Sequence, residues 1–280
     1  MAKKVWTLDD APNQKGRVFI VTGGNSGIGY ETVKGLVKKE ATVIMASRNM
    51  EKAKKAKETI ESEIPSADIT IMQLDLASLK SIDDFAEIFN SKYDRLDVLI
   101  NNAGIMFTKY GLTKDGFEQQ NGVNHLGHFA LTAKLYDLIK NTENSRIVNV
   151  SSIAHKFGKI DIDNYLFENK KGYSKARSYG RSKLSNLLFT FEMNRRFENH
   201  NVDIKVYAAH PGGSQTKLTR HIKGFISKLF NIISQSAEKG ALPTLRAALD
   251  EDAPSGTFYG PSGLFEIRGN PVPVKPWKKA

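Results

Sequence analysis

The sequence predicts an α/β chain: one doubly wound parallel sheet of about seven strands with helices on both faces. Three observations lead there. Short β-branched runs alternate with longer segments of helical period from residue 18 to residue 259. No composition break or long linker interrupts the alternation, which favours one domain over residues 1–280, although length alone would allow about two. A glycine-rich turn also sits where the first strand gives way to the first helix.

The strands are expected, in order, at Val18–Thr22, Thr42–Ala46, Thr70–Leu74, Val98–Asn101, Arg146–Ser151, Asp203–Ala208 and Thr257–Tyr259. Each is a run rich in β-branched or aliphatic residues, as strands buried on both faces require. Between them the spacing predicts helices over about 27–39, 49–63, 79–92, 118–140, 178–200 and 236–250.

Composition narrows the chemistry. Of 280 residues, 40% are hydrophobic and 25% charged, enough apolar material for a sizeable core and against disorder. The absence of cysteine removes disulfide scaffolds, Cys-ligated zinc, iron–sulfur clusters and thiol nucleophiles. A formal charge of +11 raises nucleic acid or an anionic membrane as partners. A nucleic-acid binder would show a dense basic stripe with interleaved aromatics, whereas these lysines and arginines spread over helix faces and the last residues. MAKKVWTLDD has no apolar run behind its lysines, and stretches such as VFIV at 18–21 are too short to span a bilayer. The expectation is a cytoplasmic protein with no transmembrane segment, in which a homo-oligomer is compatible with everything above.

The first strand runs into Thr22-Gly23-Gly24-Asn25-Ser26-Gly27-Ile28-Gly29 and then a helix. Glycines there let the backbone turn tightly and approach a pyrophosphate, which a helix N-terminus stabilises; the bland alternative is a tight turn and nothing more. The end of the second strand chooses the nucleotide. An NAD site places an acid there for the ribose 2′-hydroxyl. This chain reads Ala46-Ser47-Arg48-Asn49, with no acid before Glu51. Arg48 offers a guanidinium and Ser47 a hydroxyl to a 2′-phosphate, so NADP(H) is expected, the alternative being a solvent-facing arginine at a helix start.

These residues resemble the short-chain dehydrogenase/reductase family over almost the whole chain. TGGNSGIG is similar to its cofactor motif, Asn101-Asn102-Ala103-Gly104 to its NNAG turn, and Tyr179-Gly180-Arg181-Ser182-Lys183 to its YxxxK. Asn124 in NGVNHLGHF, Ser152 in IVNVSS, and Pro211-Gly212 followed by Thr216 fall in the family's order. The segment between Ser152 and Tyr179, with the YGRSKLSNLLF continuation, resembles the retinol-dehydrogenase-like and protochlorophyllide-reductase-like branch. The resemblance implies a Rossmann-like fold and an oxidoreductase passing hydride between the nicotinamide of NADP(H) and a carbonyl or alcohol carbon. Its implied catalytic set is Asn124, Ser152, Tyr179 and Lys183. Ser151 competes with Ser152, but the family's motif places the active serine second.

Tyr179 and Lys183 stand four residues apart on a predicted helix and so share a face. A lysine ammonium there is expected to lower the tyrosine pKa from about 10; outside this context such a pair is an ordinary surface pair. From the resemblance, Lys183 also holds the nicotinamide ribose, Ser152 the substrate oxygen, and Asn124 a water leading to solvent. Asp75 and Leu76 would bracket the adenine, and Asn102, Ala103 and Gly104 would line the ribose. Pro211, Gly212 and Thr216 would hold the carboxamide or pyrophosphate. The NAG turn could instead serve mainly to fix the sheet.

Residues Lys217–Ser234 read KLTRHIKGFISKLFNIIS, with apolar residues at helical spacing and lysines and arginine opposite. Because the segment follows Pro211-Gly212, where the resemblance implies a substrate lid, a lid over 217–235 is the expectation, with fixed packing or contact with a membrane surface as alternatives. Met106, Phe107 and Phe157 would help line an apolar pocket. His125, His128 and His155 lack a ligand spacing, so no metal is expected, and His155 is a candidate substrate contact. The leading function is reduction or oxidation of an apolar small molecule; the alternative is a catalytically silent NADP-binding sensor on the same fold.

Overall fold

In a computed structural model describing residues 5–213 and 235–277, eight strands form one sheet in the order β3-β2-β1-β4-β5-β6-β7-β8. The first seven are parallel. They are β1 (Val18–Thr22), β2 (Thr42–Ser47), β3 (Asp68–Gln73), β4 (Val98–Asn101), β5 (Ser145–Val150), β6 (Ile204–Ala209) and β7 (Phe258–Pro261). All seven fall within two residues of their expected positions. The eighth, β8 (Pro271–Pro273), runs antiparallel to β7 and corrects the expected count of about seven. Three residues with a proline at each end do not read as a strand, and prolines are tolerated there because β8 is an edge.

Alternation along the strands divides the core. Phe19, Val21, Val43 and Met45 face α1 (Gly27–Val37), α2 (Met50–Glu63) and α8 (Ala237–Leu249). Ile20, Ile44, Leu99 and Ile147 face α3 (Leu79–Lys92), α5 (Gly127–Lys134), α6 (Tyr136–Lys140) and α7 (Lys175–Asn199). Each such buried aliphatic contributes roughly 1.5–3 kcal/mol. Strand order reverses between β1 and β4, and this is where an open α/β sheet leaves a crevice at its carboxyl edge.

The expected helix 118–140 is broken. A short α4 (Gln119–Asn121) runs into a π-helical turn, Gly122–Leu126, before α5 and α6. Helix α7 starts three residues earlier than expected because the Ser174 side chain caps it, accepting from Arg177 N. Ahead of α7, the insertion is tied down by buried Arg181. Its Nε donates to Lys159 O, its Nη1 to the carbonyls of Asn164 and Tyr165, and its guanidinium lies 4.0 Å from the Phe167 ring centroid. Among the described residues no helix is long and apolar enough to cross a membrane.

The inner end of the sheet is held by Asp97, whose side chain is 1% exposed. Its carboxylate accepts from Val18 N at 2.8 Å, Arg95 Nη2 at 2.7 Å and Arg17 Nε at 3.2 Å. Burial pushes the carboxyl up, but Arg95, the Val18 N–H and Arg17 outweigh it and hold it below the usual 3.8. Asp97→Asn is expected to cost about 2 kcal/mol in urea unfolding at neutral pH, the scale of hydrogen bonds to a charged group. A depressed folded pKa gives stability that is present above the unfolded value and lost as pH falls through the folded one. The gap between wild type and variant should therefore close in acid; a gap that widens there would sink the assignment.

Candidate functional site

The crevice opens into a cleft of about 1000 Å³ along the carboxyl ends of β1, β2, β4 and β5. At its floor the chain turns from β1 into α1. Gly23 and Gly27 have φ of 68° and 57°, a region that disfavours a side chain. Asn25, Ser26, Ile28 and Gly29 line the same wall. Ser26 occupies the N-cap of α1 but makes no side-chain cap hydrogen bond, so the first-turn N–H groups lack their usual partner.

Thr22 joins this turn to the one after β4. Its hydroxyl accepts from Asn102 N and Ala103 N, both at 2.9 Å, while its carbonyl accepts from Asn102 Nδ2 at 2.7 Å. Thr22 Oγ1 also lies 2.9 Å from His128 Nε2, and His128 Nδ1 lies 3.0 Å from the Asn124 carbonyl. A carbonyl only accepts, so Nδ1 carries the proton and Thr22 donates to Nε2. Burial pushes His128 down to about 3, which keeps this neutral form across ordinary pH. The pairing of Thr22 with His128 was not expected from the sequence, since it spans more than a hundred residues.

At one end of the cleft, Ser47 and exposed Arg48 follow β2, with Asp75 and Leu76 across from them after β3. Arg48 makes no ion pair among the described residues. Lys52 and Lys55, one turn into α2, extend the same wall and were also missed. Asp75 is the only carboxylate among the described lining residues; its Oδ2 lies 3.4 Å from Lys114 and its Oδ1 accepts from Ala77 N.

At the other end, Asn102, Ala103 and Gly104 lead to Ser152, Tyr179 and Lys183. The Tyr179 hydroxyl faces the Ser152 side chain closely enough for the two to interact. Ser151 is engaged elsewhere, donating to the Lys183 carbonyl at 2.8 Å. Lys183 Nζ donates to Val150 O at 3.0 Å and lies 5.9 Å from the Tyr179 ring centroid. The expected lowering of the tyrosine by this lysine is overturned. Burial dominates and pushes Tyr179 up to about 12, with the interaction with Ser152 pulling the other way; burial also pushes Lys183 down to about 8. Removing both side chains from water penalises each charged form.

Asn124 lies behind the cleft wall, fully buried. Its side chain accepts from Ile105 N and donates to Ile105 O and Ser182 Oγ. The π-turn that carries it is the kind of helix defect that clusters at functional sites. His155 is corrected as a substrate contact. It is buried outside the lining, with Nδ1 2.7 Å from Ser152 O and Nε2 accepting from Trp277 N. Met106, Phe107 and Phe157 do line the cleft, as do Pro211 and Gly212. Thr216 and the expected lid, apart from Gln235, lie outside the described residues. The described flanks meet, with Gln235 N donating to Gly213 O at 2.7 Å.

A profile of the short chain dehydrogenase family matches residues 17–166. Retinol dehydrogenase 12 of Mus musculus is 41% identical over 248 residues, covering 87% of this chain and 77% of the relative. Retinol dehydrogenase 13 of Homo sapiens is 42% identical over 254 residues, covering 87% and 76%. Among solved structures, an uncharacterised protein from Mycobacterium paratuberculosis superposes with a TM-score of 0.81 at 37% identity, covering 99% of this chain and 91% of that one. A short chain dehydrogenase from Shigella flexneri, solved with NADP, matches with a TM-score of 0.69 at 20% identity, covering 89% and 98%; at that identity it speaks for the fold alone.

Proposed function

The chain belongs to the short-chain dehydrogenase family of oxidoreductases, and on that premise we propose that it is an NADP(H)-dependent enzyme. In this reading residues 1–280 form one nucleotide-binding unit that interconverts a carbonyl and an alcohol on an apolar small molecule. The observation that carries it is the convergence of Ser152, Tyr179 and Lys183 on the far end of a cleft that starts on a glycine turn.

The residues fit a dinucleotide. A Cβ on Gly29 would run into the Gly23 carbonyl and come within 2.5 Å of Asn102 Nδ2, so the helix meets the strand end with no side chain between them. The uncapped first turn of α1 suits a pyrophosphate. Arg48 supplies a charge-assisted contact to a 2′-phosphate, and Asn102, Ala103 and Lys183 would hold the nicotinamide half. Bound there, the nicotinamide supplies or accepts the hydride.

The chain's own residues do the rest. Ser152 donates to the substrate oxygen and stabilises charge developing on it. Tyr179 gives a proton to that oxygen in reduction and takes one in oxidation. Lys183, brought down to about 8 by burial, gains and loses a proton close to neutral pH and is placed to pass it on. Asn124 fixes Ile105 and Ser182, and through them the spacing between the NNAG turn and α7. Met106, Phe107, Phe157 and Ile267 supply apolar lining at this end, where Lys183 is the one charged residue in the described lining.

The deciding experiment follows consumption of NADPH and NADH against apolar ketones and aldehydes, and the reverse reaction with alcohols including retinol, named for the relatives. NADPH is expected to be preferred. Arg48→Asp should weaken NADPH binding about tenfold, the low end for a charge-assisted contact on an exposed side chain, and leave NADH nearly unchanged. A wild-type preference for NADH would remove the phosphate role from Arg48. Tight NADPH binding without turnover of any panel member would favour the sensor reading instead.

A further inference from the structure

Behind the reacting groups, the backbone of Phe107 and the side chain that holds it have no role in this scheme. Phe107 is a bulky residue in the left-handed region, with φ of 54°, a conformation that costs about 1–3 kcal/mol unless its surroundings impose it. Its ring makes a T-shaped contact with Tyr179, with centroids 5.6 Å apart and planes at 72°.

The side chain that meets this backbone is Gln120, which is fully buried. Its Oε1 accepts from Phe107 N at 2.8 Å, while its Nε2 donates to Lys175 O at 3.1 Å and Tyr173 Oη at 3.2 Å. Tyr173 in turn donates to Thr108 O. One side-chain amide therefore ties the Phe107 loop to the first turn of α7, the helix that carries Tyr179. Asn124, one turn further along, does the same for Ile105. Amides four residues apart thus serve loop residues two apart, and only the second has a role in the scheme above.

We propose that Gln120 and Phe107 are positioning residues for Tyr179: Gln120 imposes the left-handed backbone on Phe107, and the T-shaped contact of the Phe107 ring fixes the orientation of the phenol. The inference rests on the reading of Tyr179 as the proton donor and acceptor. An edge-to-face aromatic pair contributes about 0.5–1.5 kcal/mol. Losing it in the transition state alone would slow turnover by up to about tenfold.

The test is a double-mutant cycle with two readouts. Phe107→Gly removes the ring while glycine adopts the same backbone freely; Gln120→Leu keeps the ring but releases the backbone. Each is expected to lower kcat by about two- to tenfold with the NADPH dissociation constant unchanged. Each should also move the ring resonances of Tyr179 in ¹³C-tyrosine-labelled protein, assigned by their loss in Tyr179→Phe. Because Gln120 acts through Phe107, the double variant should match Phe107→Gly alone. Multiplying kcat effects, or Tyr179 resonances unmoved in Gln120→Leu, would overturn the proposal. If Gln120→Leu fails to fold, Gln120→Glu keeps the oxygen that accepts from Phe107. It should leave the Tyr179 resonances in place, and a shift there counts against the inference. If no substrate turns over, the resonances still decide this proposal while the enzymatic reading fails separately.

Discussion

Replacing Tyr179 with phenylalanine should lower turnover by about 10²–10⁴-fold, the range for a lost general acid, while nucleotide binding and fold survive. The ring keeps its place, 5% exposed on α7 and packed against Phe107. Only the hydroxyl goes, and with it the interaction with Ser152, a stability loss of no more than about 1 kcal/mol. The two directions of reaction should differ in pH dependence. Burial pushes the phenol up to about 12, so it is protonated throughout the neutral range and ready to donate to a carbonyl. Taking a proton from an alcohol needs the phenolate. In wild type, kcat/KM for oxidation is expected to climb with pH, and that for reduction to stay level. A profile for oxidation that is flat from pH 6 to about 10 would move the proton chemistry to another group, as would more than a few per cent residual turnover in the variant.

The contrast between what the residues disclosed and what they hid is physical. Strand β1 was legible because its five residues are all buried and glycines follow at once, so composition and boundary agree. Strand β8 was hidden by its prolines and its three-residue length, because it exists only through pairing with β7. The π-turn at Gly122–Leu126 has no periodic signature; the bonds around it, from Asn124 to Ile105 and Ser182 and from His128 to Asn124, reach partners that the sequence does not mark.

The cleft was legible as motifs and illegible as electrostatics. Spacing puts Tyr179 and Lys183 on one face, but the direction of their pKa shifts depends on burial, which spacing does not report. Gln120 was overlooked for a similar reason, its three hydrogen bonds going to Phe107, Tyr173 and Lys175 on other segments. His155 was misjudged because the side chain three residues after Ser152 turns inward, under the Ser152 carbonyl, and not toward the cleft.

Gly29→Ala is expected to weaken nucleotide binding about hundredfold, some 2.7 kcal/mol, and to cost stability as well. Propensity points the other way, because alanine in a helix interior is favoured over glycine by about 1 kcal/mol. Sterics should win because of what the new methyl would meet. It would come within 2.5 Å of Asn102 Nδ2 and 2.9 Å of the Gly23 carbonyl carbon, and would run into the Gly23 oxygen. None of these can yield cheaply. Gly23 is held by its left-handed turn and by its N–H to Ala46 O at 2.8 Å, and Asn102 is held by two hydrogen bonds to Thr22. Overpacking of a fixed site costs about 1–3 kcal/mol, and relief requires α1 to lift from the ends of β1 and β4, where the pyrophosphate would sit. Gly35→Ala supplies the control on the same helix. The three atoms nearest its methyl would all belong to the Leu245 side chain, the closest a terminal carbon at 2.7 Å, and a flexible side chain can move aside. If the two variants bind NADPH equally well, the close approach of α1 to the strand end is not what shapes the site; if only Gly29→Ala fails, backbone proximity at that one residue is what admits the nucleotide.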